Sequence, residues 1–206
     1  MKALTFKQYK LIDLGLLSLL FVITETIVTV AGGKWFKGQP YSLSLAVFFF
    51  CLGLMRWSLH SWVFAVAGGL VHCLASAVFM EEGVKAETFA IYCIGNLFML
   101  LGVLLFRAFG KEKIRTKPFL TLVFVTCVYL FTELGRFAVA FAFKQDPALL
   151  PAFVYTDALS GVFALVVVFV IRKTDGLFED QKTYLLRLEA EKEKDKETEQ
   201  EFADRI

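Results

Sequence analysis

The chain has 206 residues, of which 57% are hydrophobic, 16% aromatic and 20% charged, and its formal net charge is +2. Its mean hydropathy is +0.63, and its charges sit at the chain ends and in short breaks between apolar runs, which excludes an ordinary soluble domain, a disordered chain and a disulfide scaffold. The small net charge gives no reason to expect nucleic-acid binding. The composition predicts an all-α, polytopic membrane protein.

Six apolar runs approach the length of ~20 residues that a transmembrane helix needs. They cover residues 11–31, 41–55, 59–80, 88–109, 118–143 and 151–171. The second run is short for a full crossing, whereas Pro118 and Pro151 fall at the first turn of a helix, where proline is tolerated. We expect a six-transmembrane-helix bundle over residues 1–173 and a charged, helical tail over residues 174–206.

Lysine and arginine are distributed unevenly between the two sets of predicted loops. With the N-terminus inside, eleven of them lie on the inner side and four on the outer side. Because positive residues favour the cytoplasmic side, we expect a multi-pass protein of the cell membrane with both termini, and the charged tail, in the cytoplasm.

Polar and ionisable side chains lie in the outer half of five predicted spans, six to ten residues from the span end, which is about 9–15 Å along a helix. They are Glu25, His72, Asn96, Glu133, Arg136 and Asp157. Such groups are costly in lipid and are candidates for function. Their common level predicts an outward-facing, water-accessible cavity that binds a substrate.

Structural roles for these residues stay open. Glu133 and Arg136 are three residues apart on one helix face and could neutralise each other. His72 and Asn96 could each form a hydrogen bond to a neighbouring helix.

Small residues recur every four positions along the third predicted span. They are Ser61, Ala65, Gly69, Cys73 and Ala77. This spacing lets another helix backbone approach closely, either inside the same bundle or as a docking face for a partner helix.

The first outer loop, residues 32–40, contains two glycines followed by Trp35 and Phe36. The aromatic pair is typical of an interfacial anchor. It would also suit a mobile lid over an outward cavity.

Motifs for enzymatic chemistry are missing from the sequence. It contains no GxSxG, HExxH, P-loop or GxGxxG pattern and no pair of ligands at metal spacing. Each of its four cysteines lies inside an apolar run, as expected for small packing residues. We therefore expect a non-enzymatic protein without a cofactor.

Three segments resemble the substrate-binding S components of energy-coupling factor (ECF) transporters. They are residues 41–45 (YSLSL), 54–57 (LMRW) and 65–70 (AVAGGL), which look like the second and third helices of that family. The number of predicted helices, the size of the chain and the long first outer loop fit as well.

The resemblance implies a subunit that captures a vitamin or similar micronutrient from outside. It would have no ATPase of its own and would pair with a transmembrane coupling subunit and two cytoplasmic ATPases. Loop one would act as the lid, and Arg136 would hold an anionic group of the substrate. Glu25, Asn96 and Asp157 would supply hydrogen bonds.

Two other functions remain compatible with the sequence. The protein could be an ion- or proton-coupled carrier that uses the buried carboxyl groups. It could also be a membrane scaffold or regulator whose charged tail recruits a cytoplasmic partner, although a solvated helix explains that tail equally well.

Overall fold

The computed structural model describes residues 5–36, 41–79, 84–144 and 146–203. Residues 37–40 of the predicted lid, and residue 80 at the end of the predicted third span, lie outside the described residues. Every regular element in the described part of the chain is helical. The α-helices are α1 (Phe6–Trp35), α2 (Ala46–Trp57), α3 (Trp62–Phe79), α4 (Ala86–Gly95), α5 (Gly102–Phe109), α6 (Lys111–Thr116), α7 (Pro118–Lys144), α8 (Leu149–Thr156), α9 (Ala158–Ile171) and α10 (Gln181–Ala203).

Several helical stretches are long and apolar enough to cross a membrane. They are Phe6–Trp35, Ala46–Phe79, Ala86–Phe109 and Pro118–Lys144, and the bent pair α8–α9 makes a fifth. The all-helical fold of the described residues is thereby confirmed, with four or five helical stretches able to cross a membrane. Six separate crossings and the side on which each terminus lies stay predictions.

The stretch Ala46–Phe79 turns back on itself rather than running straight. Ser58 has a φ of 53° and opens a short 3-10 turn, Ser58–Ser61. A Cβ placed on Gly68 of α3 would lie 2.9 Å from the Cβ of Ala46 at the start of α2. The two helices are therefore antiparallel, and α2, with 12 residues, is only ~18 Å long.

Two other apolar stretches are interrupted partway. A 3-10 segment, Asn96–Leu101, separates α4 from α5. The axes of α8 and α9 differ by 47°, and Asp157 is the residue between them. The predicted site residues Asn96 and Asp157 thus lie where the regular helix ends.

Phenylalanine rings fill the space between α1, α2 and α3. Phe21 and Phe64 have no exposed surface, and Phe49 keeps only 3%. The ring centroids of Phe21 and Phe64 are 5.9 Å apart in an edge-to-face arrangement, which adds to the favourable burial of apolar surface. This cluster fixes α2 between its neighbours.

The small-residue ridge of α3 is largely occupied within the chain. Ser61, Ala65, Gly69 and Cys73 are buried, and only Ala77 is exposed. A Cβ on Gly69 would lie 2.5 Å from the carbonyl oxygen of Tyr92 in α4. Gly69 thus packs against α4 of the same chain, as the alternative of close packing inside the bundle predicts, and the docking of a partner helix stays a prediction.

The segment before α10 is folded against the helical bundle. Phe178 and Gln181 have no exposed surface, and the guanidinium of Arg56 donates hydrogen bonds to the carbonyl oxygens of Gly176 and Leu177, at 2.5 and 3.1 Å. Arg56 also pairs with Asp13 at 2.6 Å. The predicted boundary at residue 173 therefore precedes a packed segment, and the exposed helix begins later.

Candidate functional site

An extended strip of chain, residues 41–45, enters the bundle at the end where α1 finishes, which we call the first-loop end. The backbone N–H of Ser42 donates to the carbonyl oxygen of Thr156 at 2.8 Å. The N–H of Ser44 donates to Oγ of Ser160 at 2.8 Å. The bend between α8 and α9 frees carbonyl groups from helical hydrogen bonding. The non-helical strip and the bend therefore satisfy each other's polar groups inside the bundle.

Glu25 of α1 holds the start of α2. One carboxylate oxygen accepts from the hydroxyl of Ser44 at 2.8 Å and the other from the backbone N–H of Leu45 at 2.7 Å. Glu25 has no exposed surface. Its negative charge lies at the positive end of the α2 dipole, where an anion is stabilised, and this gives the carboxylate a structural role.

A close approach of α4 and α7 brings their polar residues together. A Cβ on Gly135 of α7 would lie 2.3 Å from the carbonyl oxygen of Gly95, and a Cβ on Gly95 would lie 2.7 Å from Cα of Arg136. Only glycine permits this spacing. As a result, Asn96 and Arg136, each next in the chain to one of these glycines, meet in the interior.

Arg136 is the centre of the polar cluster. Its Nε donates to Oδ1 of Asn96 at 2.9 Å, and its Nη1 donates to Oε1 of Glu133 at 3.1 Å. Nη1 also pairs with Oδ2 of Asp157, while the other oxygen of Asp157 accepts from the hydroxyl of Ser42. The central cluster, as we call Glu25, Asn96, Glu133, Arg136 and Asp157, is at most 4% exposed at any member.

Glu133 is incompletely satisfied. Its Oε1 is bound by Arg136, but its buried Oε2 has no hydrogen-bond donor among the described residues. A buried carboxylate oxygen without a partner carries a desolvation cost of roughly 1–3 kcal/mol or more. Such an atom is uncommon in a native interior and is often explained by function.

His72 lies at the edge of the cluster. Its ring stacks on that of Tyr92, with centroids 4.3 Å apart, and its Nδ1 is 3.5 Å from Oγ1 of Thr29. The guanidinium carbon of Arg136 is 4.9 Å from the centre of the same Tyr92 ring. Tyr92 thus connects His72 to the cluster, and the histidine makes no direct contact with the carboxylates.

A cavity of about 540 Å³ lies between the cluster and the first-loop end. Its lining residues are Val28, Ala31, Gly32, Phe36, Tyr41, Ser42, Leu43 and Leu159. Val28 and Gly32 follow Glu25 by one and two helical turns, so the cavity continues the same face of α1. Ser42 forms part of the lining and donates to Asp157, which joins the cavity to the charged groups.

The predicted lid residues are placed differently from each other. Phe36 lines the cavity although 60% of it is exposed, whereas Trp35 is 79% exposed and is not among the lining residues. The hydroxyls of Tyr41 and Tyr155 share a hydrogen bond of 2.6 Å beside the cavity.

Sequence reasoning did not single out Ser42, Ser44 or Tyr92 as site residues. The two serines alternate with leucines in YSLSL, a period of two that is typical of extended backbone. That signal was available within the predicted second span, which the structure begins at Ala46 instead of residue 41. For Tyr92, no pattern in the chain marked its position between two helices.

The arrangement can bind a small solute in a mainly apolar cavity that Ser42 joins to the buried charged cluster. Comparison with known proteins adds no relative: no family model, no curated protein and no solved structure matches the chain.

Proposed function

We propose that this protein is the substrate-binding subunit of an importer of the energy-coupling factor type, and that it captures a small, water-soluble micronutrient. The observation that carries the proposal is a cavity of about 540 Å³ whose lining residue Ser42 donates a hydrogen bond to Asp157 of the central cluster. Non-helical backbone and buried charge are tolerated at membrane depth where they line a binding cavity.

The size and lining of the cavity support this function. Pockets for small molecules commonly measure about 300–1,000 Å³ and combine apolar walls with a few placed polar groups. Here Phe36, Tyr41 and Leu159 contribute the apolar surface, and Ser42 contributes the polar contact. The first loop would close over the bound solute, with the lid residue Phe36 nearest to it.

The proposal places the first-loop end outside the cell and both termini in the cytoplasm. Transport would then need a separate transmembrane coupling subunit with two cytoplasmic ATPases. That partner would dock outside the contact that Gly69 of the α3 ridge makes with α4.

A thermal-stability screen of the purified protein against water-soluble vitamins tests the proposal. We expect one compound to raise the melting temperature by several degrees, because a ligand at 100 times its Kd stabilises the folded state by about 2.7 kcal/mol. Failure of every vitamin and related nutrient to bind would contradict the proposal.

A matched pair of serine variants identifies the site. Ser42→Ala removes the hydroxyl that lines the cavity and should weaken binding of the identified compound at least tenfold. Ser61→Ala removes a buried hydroxyl that has no hydrogen-bond partner among the described residues and does not line the cavity, and this variant should bind as the wild type does. Equal binding by both variants would place the site elsewhere.

An ion- or proton-coupled carrier is the second candidate, and the unpartnered Oε2 of Glu133 favours it. A carrier would move its substrate into proteoliposomes that contain this protein alone. The energy-coupling factor type predicts binding without sustained uptake in the same vesicles.

A further inference from the structure

We propose that the cavity takes an organic cation, a compound with a positively charged nitrogen next to an apolar or aromatic body. This inference rests on the proposed binding function and specifies the class of its substrate. It combines a cavity, an excess of acidic groups in the buried cluster that Ser42 joins to it, and a carboxylate oxygen in that cluster that has no donor among the described residues.

Charge within the central cluster is unbalanced. Arg136 is paired with Glu133 and Asp157, whereas Glu25 forms no ion pair among the described residues and is held by Ser44 and Leu45. The cluster therefore contains three carboxyl groups and one guanidinium. The dipole of α2 compensates about half a charge, which leaves an excess of formal negative charge in the cluster that Ser42 joins to the cavity.

Hydrogen bonding indicates where the negative charge is least compensated. Both oxygens of Glu25 accept a hydrogen bond, and both oxygens of Asp157 have a donor. Oε2 of Glu133 has none among the described residues, although Glu133 is only 1% exposed. A positive group in the adjoining cavity would stabilise this arrangement, because charges interact over several ångströms when water is excluded.

An anionic substrate fits the same cavity poorly. Nε and Nη1 of Arg136 already bind Asn96, Glu133 and Asp157. An anion in the cavity would face a cluster with three carboxyl groups and one guanidinium that is already paired. Under this inference Arg136 orders the carboxylates, in place of the expected contact with an anionic group.

The cavity walls suit an organic cation. Phe36 and Tyr41 line it, and aromatic faces attract cations by roughly 0.5–2 kcal/mol. Its volume exceeds what a bare ion needs, and within the described ranges no three His, Cys, Asp or Glu side chains are placed to hold a metal ion.

Matched probes that differ mainly in charge test the inference. N1-methylnicotinamide is a cation, nicotinamide is neutral and nicotinate is an anion, and all three share one ring. Choline and its neutral analogue 3,3-dimethylbutanol form a second set, and thiamine extends the range to a larger cation. Binding is measured by calorimetry on the full chain in lipid nanodiscs, at 0.1 and 0.5 M NaCl.

We expect at least one cation to bind ten times more tightly than its neutral or anionic counterpart, or, for thiamine, than every neutral and anionic probe. The preference should persist at 0.5 M NaCl, because buried charges are screened much less than surface charges. Tighter binding of an anion or a neutral compound would overturn the inference while leaving the binding function intact. Binding of no probe would overturn the inference, and the vitamin screen would then decide the function separately.

Two carboxyl variants locate the charge. Glu133→Gln keeps the size of the side chain, and we expect it to weaken cation binding at least tenfold while the affinity for neutral compounds is unchanged. Glu87→Gln removes a carboxylate at the same end of the bundle that pairs with Lys144 at the surface, at 3.0 Å, and should leave all affinities unchanged. Equal cation affinity in wild type and Glu133→Gln would contradict the assignment.

Discussion

Gly95 and Gly135 are in backbone contact, since a Cβ on Gly135 would lie only 2.3 Å from the carbonyl oxygen of Gly95. This contact joins the end of α4 to the middle of α7. It places Asn96 against Arg136. The contact between two uncharged glycines thus positions the charged centre of the site.

Substituting Gly135 should therefore damage both stability and binding. Gly135→Ala forces the two helices apart, and overpacking of this kind costs roughly 1–3 kcal/mol or more. We expect a lower melting temperature in detergent and weaker binding of any ligand. Gly15→Ala is the control, because its Cβ would meet nothing within 4 Å and alanine is the better helix former. Comparable melting temperatures for the two variants would contradict this packing.

Arg136 should be required for folding as well as for the site. Arg136→Ala leaves Glu133 and Asp157 buried without their cation, and breaking a buried pair in this way typically costs about 3–5 kcal/mol. We expect little folded protein in membranes, measured by fluorescence-detected size-exclusion chromatography. Partial recovery is expected when Glu133→Gln is combined with Arg136→Ala, because one uncompensated charge is then removed. A fully stable Arg136→Ala variant would show that the cluster is unimportant for folding.

At the opposite end of the bundle, Arg56 should hold the segment that precedes α10. Arg56→Gln removes the pair with Asp13 and the hydrogen bonds to Gly176 and Leu177. We expect trypsin to cleave faster after Arg172 and Lys173, as followed by mass spectrometry. The control, Arg107→Gln, changes an exposed arginine and should leave that rate unchanged. An unchanged rate for Arg56→Gln would contradict the described anchoring.

Acid should weaken the same region through Asp180. Burial alone would raise the pKa of this carboxyl, but hydrogen bonds from Lys111 and Thr183 hold the pKa below its usual value. A depressed folded-state pKa gives stability above the unfolded-state pKa of about 3.9, and this stability is lost as the pH falls through the folded-state pKa. Melting temperatures at pH 7 and pH 3 should therefore differ less for Asp180→Asn than for wild type. An identical pH dependence in the two proteins would contradict the proposed role of Asp180.

The exposed part of the tail should be dispensable for folding and ligand binding. A chain that ends at Leu188 keeps the buried residues Phe178, Glu179 and Gln181 and removes the strongly charged remainder of α10. We expect an unchanged melting temperature and ligand affinity. Loss of function in cells with binding intact would instead favour the scaffold hypothesis, in which the tail recruits a partner.

Periodicity and composition predicted the helical class and the approximate extent of most helices, because a long apolar run has few alternatives in a membrane. They did not predict the late start of α2 at Ala46 or the bend at Asp157. These breaks depend on hydrogen bonds between distant segments, such as Ser42 with Thr156, which no local pattern contains.

The same limit applies to the site. Depth alone indicated that Glu25, Asn96 and Asp157 share a level, and the structure brings them into or beside one cluster. Depth could not indicate which groups pair, so the role of Arg136 depended on contacts with Asn96 at the end of α4 and with Asp157 at the α8–α9 bend. Nothing in the sequence distinguishes Gly69 of the α3 ridge from Gly95 and Gly135 of the α4–α7 contact. Only the fold shows which surface each glycine meets.

Native mass spectrometry of the protein released from nanodiscs, after incubation with a mixture of soluble small molecules, tests the central claim most directly. We expect wild type and Ser61→Ala to retain one small molecule per chain, and Ser42→Ala and Asp157→Asn to lose it. A wild-type protein that retains nothing, or an Asp157→Asn variant that retains the same molecule at the same occupancy, would contradict the claim that the central cluster and its cavity form a binding site.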